Sequence, residues 1–246
     1  MGKLRLDKYL AEMGLGTRSE VKKLLRQGQV LVNGQKMKSP EYKIEPGEDK
    51  VEAQGKEVSY VRYEYFMLHK PQGVITATED RGQKTVMEFI RFGKRKDLFP
   101  VGRLDKDTEG LLLITNDGEL AHRLLSPKRH VDKTYFVRLK EPVEESHIER
   151  LETGVDIGEE RLTLPARLSR ISQDRKELCI TIQEGKFHQI KRMFQAVDNE
   201  VLYLKRLSMG SLTLDDRLRP GEYRALTEEE ITRLKEHAEK HKSSDI

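Results

Sequence analysis

The sequence predicts an α+β protein built from a small domain and a larger one. Its 246 residues correspond to between one and two domains, at ~150 residues for each. Helical spacing of apolar residues followed by a hairpin signal marks the N-terminal part of the chain, and a continuous apolar run typical of a buried strand lies near its middle. The chain therefore carries both kinds of regular structure.

The central stretch, Val101–Gly118, reads VGRLDKDTEGLLLITNDG. Its charged turn runs into the apolar segment Leu111–Thr115, which is typical of a strand buried on both faces, although a short buried helix shows the same run. Asp105 then lies just outside a core strand, where a carboxylate is held in position and faces a cleft. From the local composition alone, an ordinary solvated or capping aspartate is the favoured interpretation.

Charge is distributed unevenly along the chain. Charged residues make up 36% of the sequence and aromatic residues 6%, but the net charge is only +4, so a nucleic-acid surface requires local clustering. The first 38 residues contain nine Lys and Arg against three Asp and Glu, which gives a local charge of +6. This end of the chain is the first candidate for such a surface.

Cysteine and histidine usage argues against disulfides and metal sites. Cys179 is the only cysteine, lies in an apolar strand-like segment and is expected to be a packing residue. The histidines show no ligand spacing beyond His237 and His241, which we expect to be solvated. Neither a run of ~20 apolar residues nor a hydrophobic signal segment is present, so a cytoplasmic protein is expected.

Two short helices are predicted at the N-terminus. Apolar residues between Leu6 and Met13 fall at helical spacing, and a second helix begins with a capping box of Thr17 and Glu20 and ends before Gly28. Three cations recur every four residues along this helix, at Arg18, Lys22 and Arg26. Ordinary exposed faces mix both signs, so this row indicates a phosphate-binding surface in preference to a solvated face.

The N-terminal part as a whole resembles the S4 RNA-binding domain. The similarity lies in Arg5–Leu10, in Arg18-Ser19 and in the run from Gly28 to Gly34, which ends in the hairpin signal Asn33-Gly34. It implies an RNA partner and phosphate contacts that position the chain on folded RNA. The expected contacts are Arg5, Lys8, Arg18, Lys22 and Arg26.

Domain boundaries follow from a polar segment with Pro and Gly between residues 41 and 61. We expect the S4 domain to span residues 1–59 and a linker that lets it reorient on RNA to span residues 60–62. The larger domain is expected to span residues 63–232, and a charged tail residues 233–246.

The larger domain resembles the pseudouridine synthases, in the form carried by the RsuA and RluB branch. GRLDKDTEGLLLIT is similar to the signature loop of that family, and further matches lie at Lys70–Gly73, Lys133–Tyr135 and Glu184–Phe194. Together with C-terminal blocks that begin at Arg206, the matches run from Arg5 to about Leu226. The resemblance implies a mixed, mostly antiparallel sheet flanked by helices.

The same resemblance implies a reaction and its residues. Uridine in RNA is isomerised to pseudouridine by breaking the N-glycosidic bond, turning the base and forming a carbon–carbon bond, which needs no cofactor and no metal. The extruded base requires a cationic surface, a stacking residue and a positioned carboxylate, which Arg103, Tyr135 and Asp105 are expected to supply. Lys191 is expected to pair with Asp105 and to favour its charged form.

Several alternatives stay open at this stage. Asp105 acts either as a nucleophile at C1′ or as a base that removes the C2′ proton. Asp107 is the other candidate for the catalytic carboxylate. A mechanism in which the two carboxylates act as an acid and base pair is less favoured. Further RNA contacts are expected from the second basic cluster and the matched blocks, namely Lys70, Lys128, Arg129, Lys133, His188 and Arg192.

The expected substrate is uridine 516 of 16S ribosomal RNA, within an assembling small subunit. An S4 domain, the lack of a long basic tail and the form of two matched blocks favour the small-subunit branch of the family. The alternatives are 23S ribosomal RNA, or a non-catalytic S4-type protein that binds RNA or assists ribosome assembly. A monomer without membrane contacts is expected.

Overall fold

The computed structural model describes residues 2–91 and 93–240. Its contacts divide the chain into two compact units. The small unit consists of Met1–Glu64 and Arg91–Leu98, and the large unit of Tyr65–Ile90 and Phe99–Ile246. The segment Arg91–Leu98, which the sequence reading assigned to the larger domain, thus lies in the small unit.

The small unit contains two helices and two small sheets. Its elements are β1 (Leu4–Arg5), α1 (Leu6–Glu12), α2 (Arg18–Arg26), β2 (Val30–Val32), β3 (Gln35–Lys36), β4 (Lys43–Ile44), β5 (Val51–Ala53) and β6 (Lys56–Glu57). One sheet has the order β3-β2-β5-β6, and β1 pairs with β4. Apolar side chains of both helices and of the strands form one core, with Leu6, Leu10 and Leu25 fully buried.

Local signals in the sequence explain how α2 and the hairpin form. The Thr17 amide donates to the Glu20 carboxylate at 2.7 Å and the Glu20 amide donates to the Thr17 hydroxyl at 3.3 Å, which is the predicted capping box. Asn33 and Gly34 both have positive φ, as a two-residue hairpin turn of this kind requires. Both predictions are confirmed.

The segment Arg91–Leu98 is held in the small unit by a buried guanidinium. Arg95 is 5% exposed, and its side chain donates to Glu12 of α1 at 2.9 Å and to Asp97 at 2.8 Å. The Arg95 amide donates to the Glu64 carboxylate at 2.7 Å. Residues 60–62, expected to be a linker, also contact this group, because the Val61 carbonyl accepts from Arg95 at 3.4 Å.

The large unit is built on a nine-stranded sheet. Its elements are β7 (Tyr65–Lys70), β8 (Phe99–Pro100), β9 (Glu109–Thr115), α3 (Gly118–Leu125), β10 (Lys133–Leu139), α4 (Glu145–Thr153), β11 (Arg167–Ser169), β12 (Glu177–Ile182), α5 (Gln189–Gln195), β13 (Val201–Met209), β14 (Leu212–Thr213), β15 (Tyr223–Ala225) and α6 (Glu228–Lys240). Short 3-10 turns lie at Val86–Phe89 and Pro127–Arg129.

The strand order is β11-β12-β10-β13-β9-β7-β15, with β14 on β13 and β8 on β9. Strands β9 and β13 run parallel, and the other named pairs of this sheet are antiparallel. The predicted α+β class with a mixed, mostly antiparallel sheet is therefore confirmed. Residues 111–114 of β9 are fully buried, as the continuous apolar run predicts.

Two expectations about single residues have different outcomes. Cys179 on β12 is a buried free thiol, and burial raises its pKa, which fits a packing residue. His237 lies on α6 and its Nε2 atom is buried, so the expectation that it is solvated is wrong. His241 lies outside the described residues.

Helix α6 extends through most of the segment expected to be a charged tail. Leu234 and Ala238 are fully buried, and the guanidinium of Arg129 donates to the Ala238 carbonyl. Arg123 of α3 forms an ion pair with Glu239 at 3.2 Å. Helix α6 therefore packs against other parts of the large unit at least as far as Glu239.

Within residues 2–91 and 93–240, no helix has both the length and the apolar character needed to span a membrane. The same residues contain no group of three His, Cys, Asp or Glu side chains arranged to hold a metal ion.

The parallel pair of strands depends on Gly110. This residue has φ +111°, and a Cβ atom there would lie 2.2 Å from the Arg206 carbonyl oxygen and 2.6 Å from its amide nitrogen. Because both are backbone atoms, the clash has no side chain that can move aside. The strained φ and the overlap together lead us to expect that Gly110→Ala lowers the free energy of unfolding by about 2–5 kcal/mol.

Gly118→Ala is the matched control for this substitution in urea denaturation. Gly118 begins α3, and an added Cβ meets no atom within 4 Å. Relief of the glycine entropy cost leads us to expect a stability equal to the wild type or higher by up to about 1 kcal/mol. Equal midpoints for Gly110→Ala and Gly118→Ala would show that β9 and β13 do not approach so closely.

Candidate active site

An open cleft of ≈930 Å³ lies on the large unit where the loop before β9 meets β10 and the loop before α5. The side chain of Asp105 lines it and is 25% exposed. The other charged and aromatic residues that line it are Phe99, Arg103, Lys106, Lys133, Tyr135, Glu184, Lys186, Phe187, His188 and Arg206. Basic residues therefore outnumber acidic ones around a single partly exposed carboxylate on the loop.

The backbone of this loop is held by the ammonium group of Lys70. Lys70 ends β7 and is fully buried, and its Nζ donates to the carbonyls of Asp105 at 3.0 Å, Thr108 at 2.9 Å and Pro71 at 3.1 Å. Burial lowers its pKa to about 8, although the nearby carboxylates of Asp107 and Asp105 oppose that shift. The charge thus fixes the loop through its carbonyl oxygens.

Two further contacts hold the remaining polar backbone groups of the loop. The Thr76 hydroxyl donates to the Leu104 carbonyl at 2.8 Å and accepts from the Leu104 amide at 3.2 Å. The Gly73 amide donates to the Lys106 carbonyl at 2.8 Å. Consecutive carbonyls from Leu104 to Lys106 are therefore all bonded, and Asp105 has little freedom to shift.

Lys191 of α5 lies between the two loop carboxylates. Its Nζ is 3.2 Å from Oδ2 of Asp105 and 2.6 Å from Oδ1 of Asp107. Burial opposes the charge of Lys191, but the hydrogen bonds and charges of the two carboxylates raise its pKa above the ordinary value. The ammonium therefore stays charged beside Asp105.

The two carboxylates occupy different surroundings. Asp105 lines the cleft, whereas the side chain of Asp107 is 69% exposed and is not among the residues that line it. Although burial raises the pKa of Asp107, its hydrogen bond and ion pair with Lys191 leave that pKa below the ordinary value. Only Asp105 is placed to act on a molecule in the cleft.

Tyr135 and Arg206 form the floor of the cleft. They lie directly opposite each other on β10 and β13, so both side chains project from the same face of the sheet. Arg206 is 2% exposed and its Nε donates to the Leu111 carbonyl at 2.7 Å, while its Nη2 is buried and has no hydrogen-bond partner among the described residues. Tyr135 is 8% exposed, pairs with Ile180 across β10 and β12, and belongs to the core cluster that also contains Leu104.

Lys133 lies two residues from Tyr135 on the same face of β10 and also lines the cleft. Its Nζ donates to the Val131 carbonyl at 3.0 Å. Burial, reinforced by the charge of Arg206, lowers the pKa of Lys133 to about 8. The floor thus carries two nearly buried cations beside an aromatic ring.

Comparison with known proteins gives matches along most of the chain. The family described as RNA pseudouridylate synthase matches residues 64–196, and the S4 domain matches residues 4–50. The chain is 50% identical over 236 residues to a Bacillus subtilis strain 168 protein named as the uncharacterized RNA pseudouridine synthase YtzG, covering 95% of this chain and 99% of that one.

The chain belongs to the RNA pseudouridine synthases.

Two further relatives support this assignment. The ribosomal small subunit pseudouridine synthase A of Vibrio cholerae serotype O1 is 44% identical over 232 residues, covering 94% of this chain and 99% of that protein. A crystal structure described as a pseudouridylate synthase is 41% identical, with a TM-score of 0.66, and covers 94% of this chain and 99% of that chain. The non-catalytic alternative is therefore not retained.

Most of the predicted site residues of the synthase lie together. Asp105, Arg103 and Tyr135 line the cleft, and Lys191 contacts Asp105 from α5. His188 lies beside them, with its Nε2 3.7 Å from Oδ1 of Asp105. Lys133 also faces the cleft, although it is only 7% exposed.

Three predicted RNA contacts have partners within the protein. The prediction needs correction for Lys70, which solvent does not reach, and stays a prediction for Arg129 and Arg192. Lys70 is fully buried and binds loop carbonyls. Arg192 forms an ion pair with Glu159 at 2.7 Å and donates to the carbonyls of Phe187 and Ile157, and Arg129 donates to α6. A sequence motif shows the charge of these residues but not which groups their charged ends contact.

The predicted contacts of the small unit are exposed. Arg18, Lys22 and Arg26 project from α2 and, in the described part of the chain, have no carboxylate within ion-pair distance. Arg5 instead donates twice to Asp7, at 3.1 and 2.9 Å, and Lys8 is 3.7 Å from Glu12. Lys128 of the large unit is exposed.

Sequence reasoning missed Arg206, Thr76 and Phe187. Arg206 was noted only as the start of the C-terminal matched blocks. No strand was predicted there, so the sequence analysis did not place its side chain on either face of the sheet. Thr76 carries no local signal, because a threonine in a loop is common. Phe187 stood within a matched block without a role of its own.

The Lys70 contacts predict a loss of activity without a loss of RNA binding. Lys70→Met removes the ammonium and leaves the loop carbonyls without their donor, so Asp105 shifts from its position. Misplacement of a catalytic group by about 1 Å costs on the order of 100-fold in rate, and we expect a fall of that size in kcat/KM. RNA affinity should change by less than about threefold.

Filter binding and single-turnover assays of Lys70→Met measure the two quantities, with circular dichroism as the check on folding. Lys140→Met is the matched control, since Lys140 is an exposed lysine of the same unit paired with Glu200. A fall in RNA affinity as large as the fall in rate would return Lys70 to the RNA-contacting residues.

The lowered pKa of Lys70 also predicts a pH dependence of stability. Burial places this pKa at about 8 in the folded chain, below the value of about 10.4 for an unfolded lysine. Between these values the unfolded state holds more protons, so stability rises with pH. The free energy of unfolding of the wild type relative to Lys70→Met should therefore increase from about pH 8 to about pH 10.4. Urea denaturation across this range tests it, and a constant difference would contradict it.

Proposed function

We propose that this pseudouridine synthase isomerises uridine 516 of 16S ribosomal RNA, with Asp105 as the catalytic residue. The observation that carries the role of Asp105 is its place in the cleft, beside the charged Lys191 and above Tyr135. The relative from Vibrio cholerae, named a ribosomal small subunit pseudouridine synthase A, supports the small-subunit substrate.

In the proposed reaction the target uridine leaves the RNA stack and enters the cleft. The Asp105 carboxylate attacks C1′ or removes the C2′ proton, and the bond between N1 and C1′ breaks. The uracil turns so that its C5 faces C1′, and the new bond forms between these two carbons. In the first route the bond between Asp105 and C1′ breaks as the new bond forms, and in the second Asp105 returns the proton to C2′. The C5 proton is then lost and N1 becomes protonated, so that the product is an isomer of the substrate and no other reactant is consumed.

The protein groups around Asp105 suit these steps. Lys191 places a cation 3.2 Å from the carboxylate, and the buried loop contacts keep it at a fixed position. Tyr135 offers an aromatic face to the base, and Arg103 lies exposed at the cleft with the neighbouring cations to meet the RNA phosphates. The exposed cations of α2 supply a second phosphate-binding surface on the small unit.

Comparing Asp105→Asn with Asp107→Asn separates the two candidate carboxylates. Asp105→Asn keeps the shape of the side chain but removes the carboxylate that reacts, so we expect product formation to fall by at least about 1,000-fold with RNA affinity retained. Asp107→Asn, which changes a residue outside the lining of the cleft, should keep activity within about tenfold, because it removes one partner of Lys191 and leaves the Asp105 carboxylate in place. Equal losses in both variants would contradict the assignment of Asp105 alone.

Pseudouridine mapping of both ribosomal RNAs, by carbodiimide modification and primer extension, tests the substrate in cells with and without the gene. Loss of the signal at uridine 516, restored by the wild type but not by Asp105→Asn, is the expected result. Loss of a site in 23S ribosomal RNA instead would keep the reaction and overturn the small-subunit assignment.

A further inference from the structure

Phe187 is the most exposed large apolar side chain in the described part of the chain, at 68%. It lies in the loop that joins β12 to α5, and it lines the same cleft as Asp105. Burying a phenylalanine side chain stabilises a fold by about 1.5–3 kcal/mol. Phe187 does not contribute this stabilisation because its side chain is left exposed. A single exposed apolar residue is ordinary on a protein surface, but this ring lines a cleft and stacks on a second ring, which together point to a ligand.

The Phe187 ring is not alone. It stacks on the imidazole of His188, with ring centroids 3.8 Å apart and an angle of 17° between the planes. His188 has a left-handed backbone, with φ +48°, and this turn of the chain brings the two successive rings together. Because Nε2 of His188 lies 3.7 Å from Asp105, the ring pair stands directly beside the catalytic carboxylate.

The loop that carries the pair is held firmly at both ends. Arg192 donates to the Phe187 carbonyl at 3.0 Å and is itself fixed by its ion pair with Glu159. The Lys186 amide donates to the side chain of Gln189 at 2.9 Å, and Gln189 donates to Glu184 at 2.7 Å. The exposed ring is thus presented on an ordered backbone.

We propose that Phe187, backed by His188, is a stacking surface for an RNA base that flanks the target uridine. This inference rests on the proposed function. When a uridine leaves the stack, its neighbours lose one stacking partner, and a fixed aromatic ring next to the cleft replaces it. The basic residues of the cleft, among them Arg103 and Lys186, favour a nucleic-acid strand over an apolar protein segment as the occupant.

Tyr135 and Phe187 then have separate tasks. Tyr135 is 8% exposed on the floor and faces a base that has entered the cleft, whereas Phe187 stands at the edge and meets a base that remains in the strand. Stacking on a protein aromatic ring contributes about 10- to 100-fold to the affinity for each base, whatever its sequence. The surface therefore adds affinity and positions the strand without reading the base.

The test uses the full chain and a 16S ribosomal RNA fragment around uridine 516, with 2-aminopurine in place of a flanking nucleotide on either side. Stacking on Phe187 quenches this fluorophore at one of the two positions. Phe187→Ala should lose the quenching and weaken binding about 10- to 100-fold, whereas Phe187→Tyr should keep both. Phe187→Leu keeps an apolar side chain but should lose the quenching.

Leu202→Ala is the matched control, because Leu202 is an apolar residue of the same unit that is 57% exposed and is absent from the lining of the cleft. Equal affinity and quenching for Phe187→Ala and Leu202→Ala would overturn the stacking surface. Quenching that depends on Phe187 only with the fluorophore at the target position would also overturn it.

Measuring pseudouridine formation on the fragment without 2-aminopurine distinguishes a failure of the stacking proposal from a failure of the proposed function. If the wild type forms pseudouridine at position 516 and Phe187→Ala does so at an equal kcat/KM, the stacking surface fails while the function stands. If the wild type forms none there but the flanking fluorophore is quenched through Phe187, the proposed substrate fails while the stacking surface stands.

Discussion

The position of Asp105 depends on the fully buried ammonium group of Lys70. A buried ammonium is costly unless its donors are all used, and Lys70 meets this requirement through the carbonyls of Pro71, Asp105 and Thr108. The loop backbone cannot move away without leaving that charge unpaired. The carboxylate is therefore held by the end of strand β7, a different part of the chain, and the core strand β9 alone does not fix it.

The residues of the cleft floor are positioned by the close approach of two strands, β9 and β13. Gly110 lets β9 lie against β13 in parallel, and the guanidinium of Arg206 crosses this contact to the Leu111 carbonyl. Arg206 in turn lies opposite Tyr135 on β10. One glycine thus sets the spacing that brings a cation and an aromatic ring into the same cleft as Asp105.

Short-range patterns made parts of this structure predictable. The capping box of Thr17, the hairpin at Asn33-Gly34 and the apolar run of β9 each act through neighbours in sequence, and each is found. The burial of the Lys70 ammonium group depends on partners far along the chain. The same is true of the place of Arg91–Leu98 in the small unit. A lysine before a proline reads the same whether its head group is solvated or buried, so sequence pattern cannot separate the two.

The same distinction applies to the two carboxylates of the loop. Asp105 and Asp107 are alike in sequence, and only the fold makes one line the cleft and leaves the other 69% exposed. Lys191 contacts Asp107 at 2.6 Å and Asp105 at 3.2 Å, so its closest bond is to the carboxylate outside the cleft. Asp105 thereby receives the field of a cation that Asp107 holds in place, and an oxygen engaged less closely by the ammonium remains better able to react with a sugar carbon or proton.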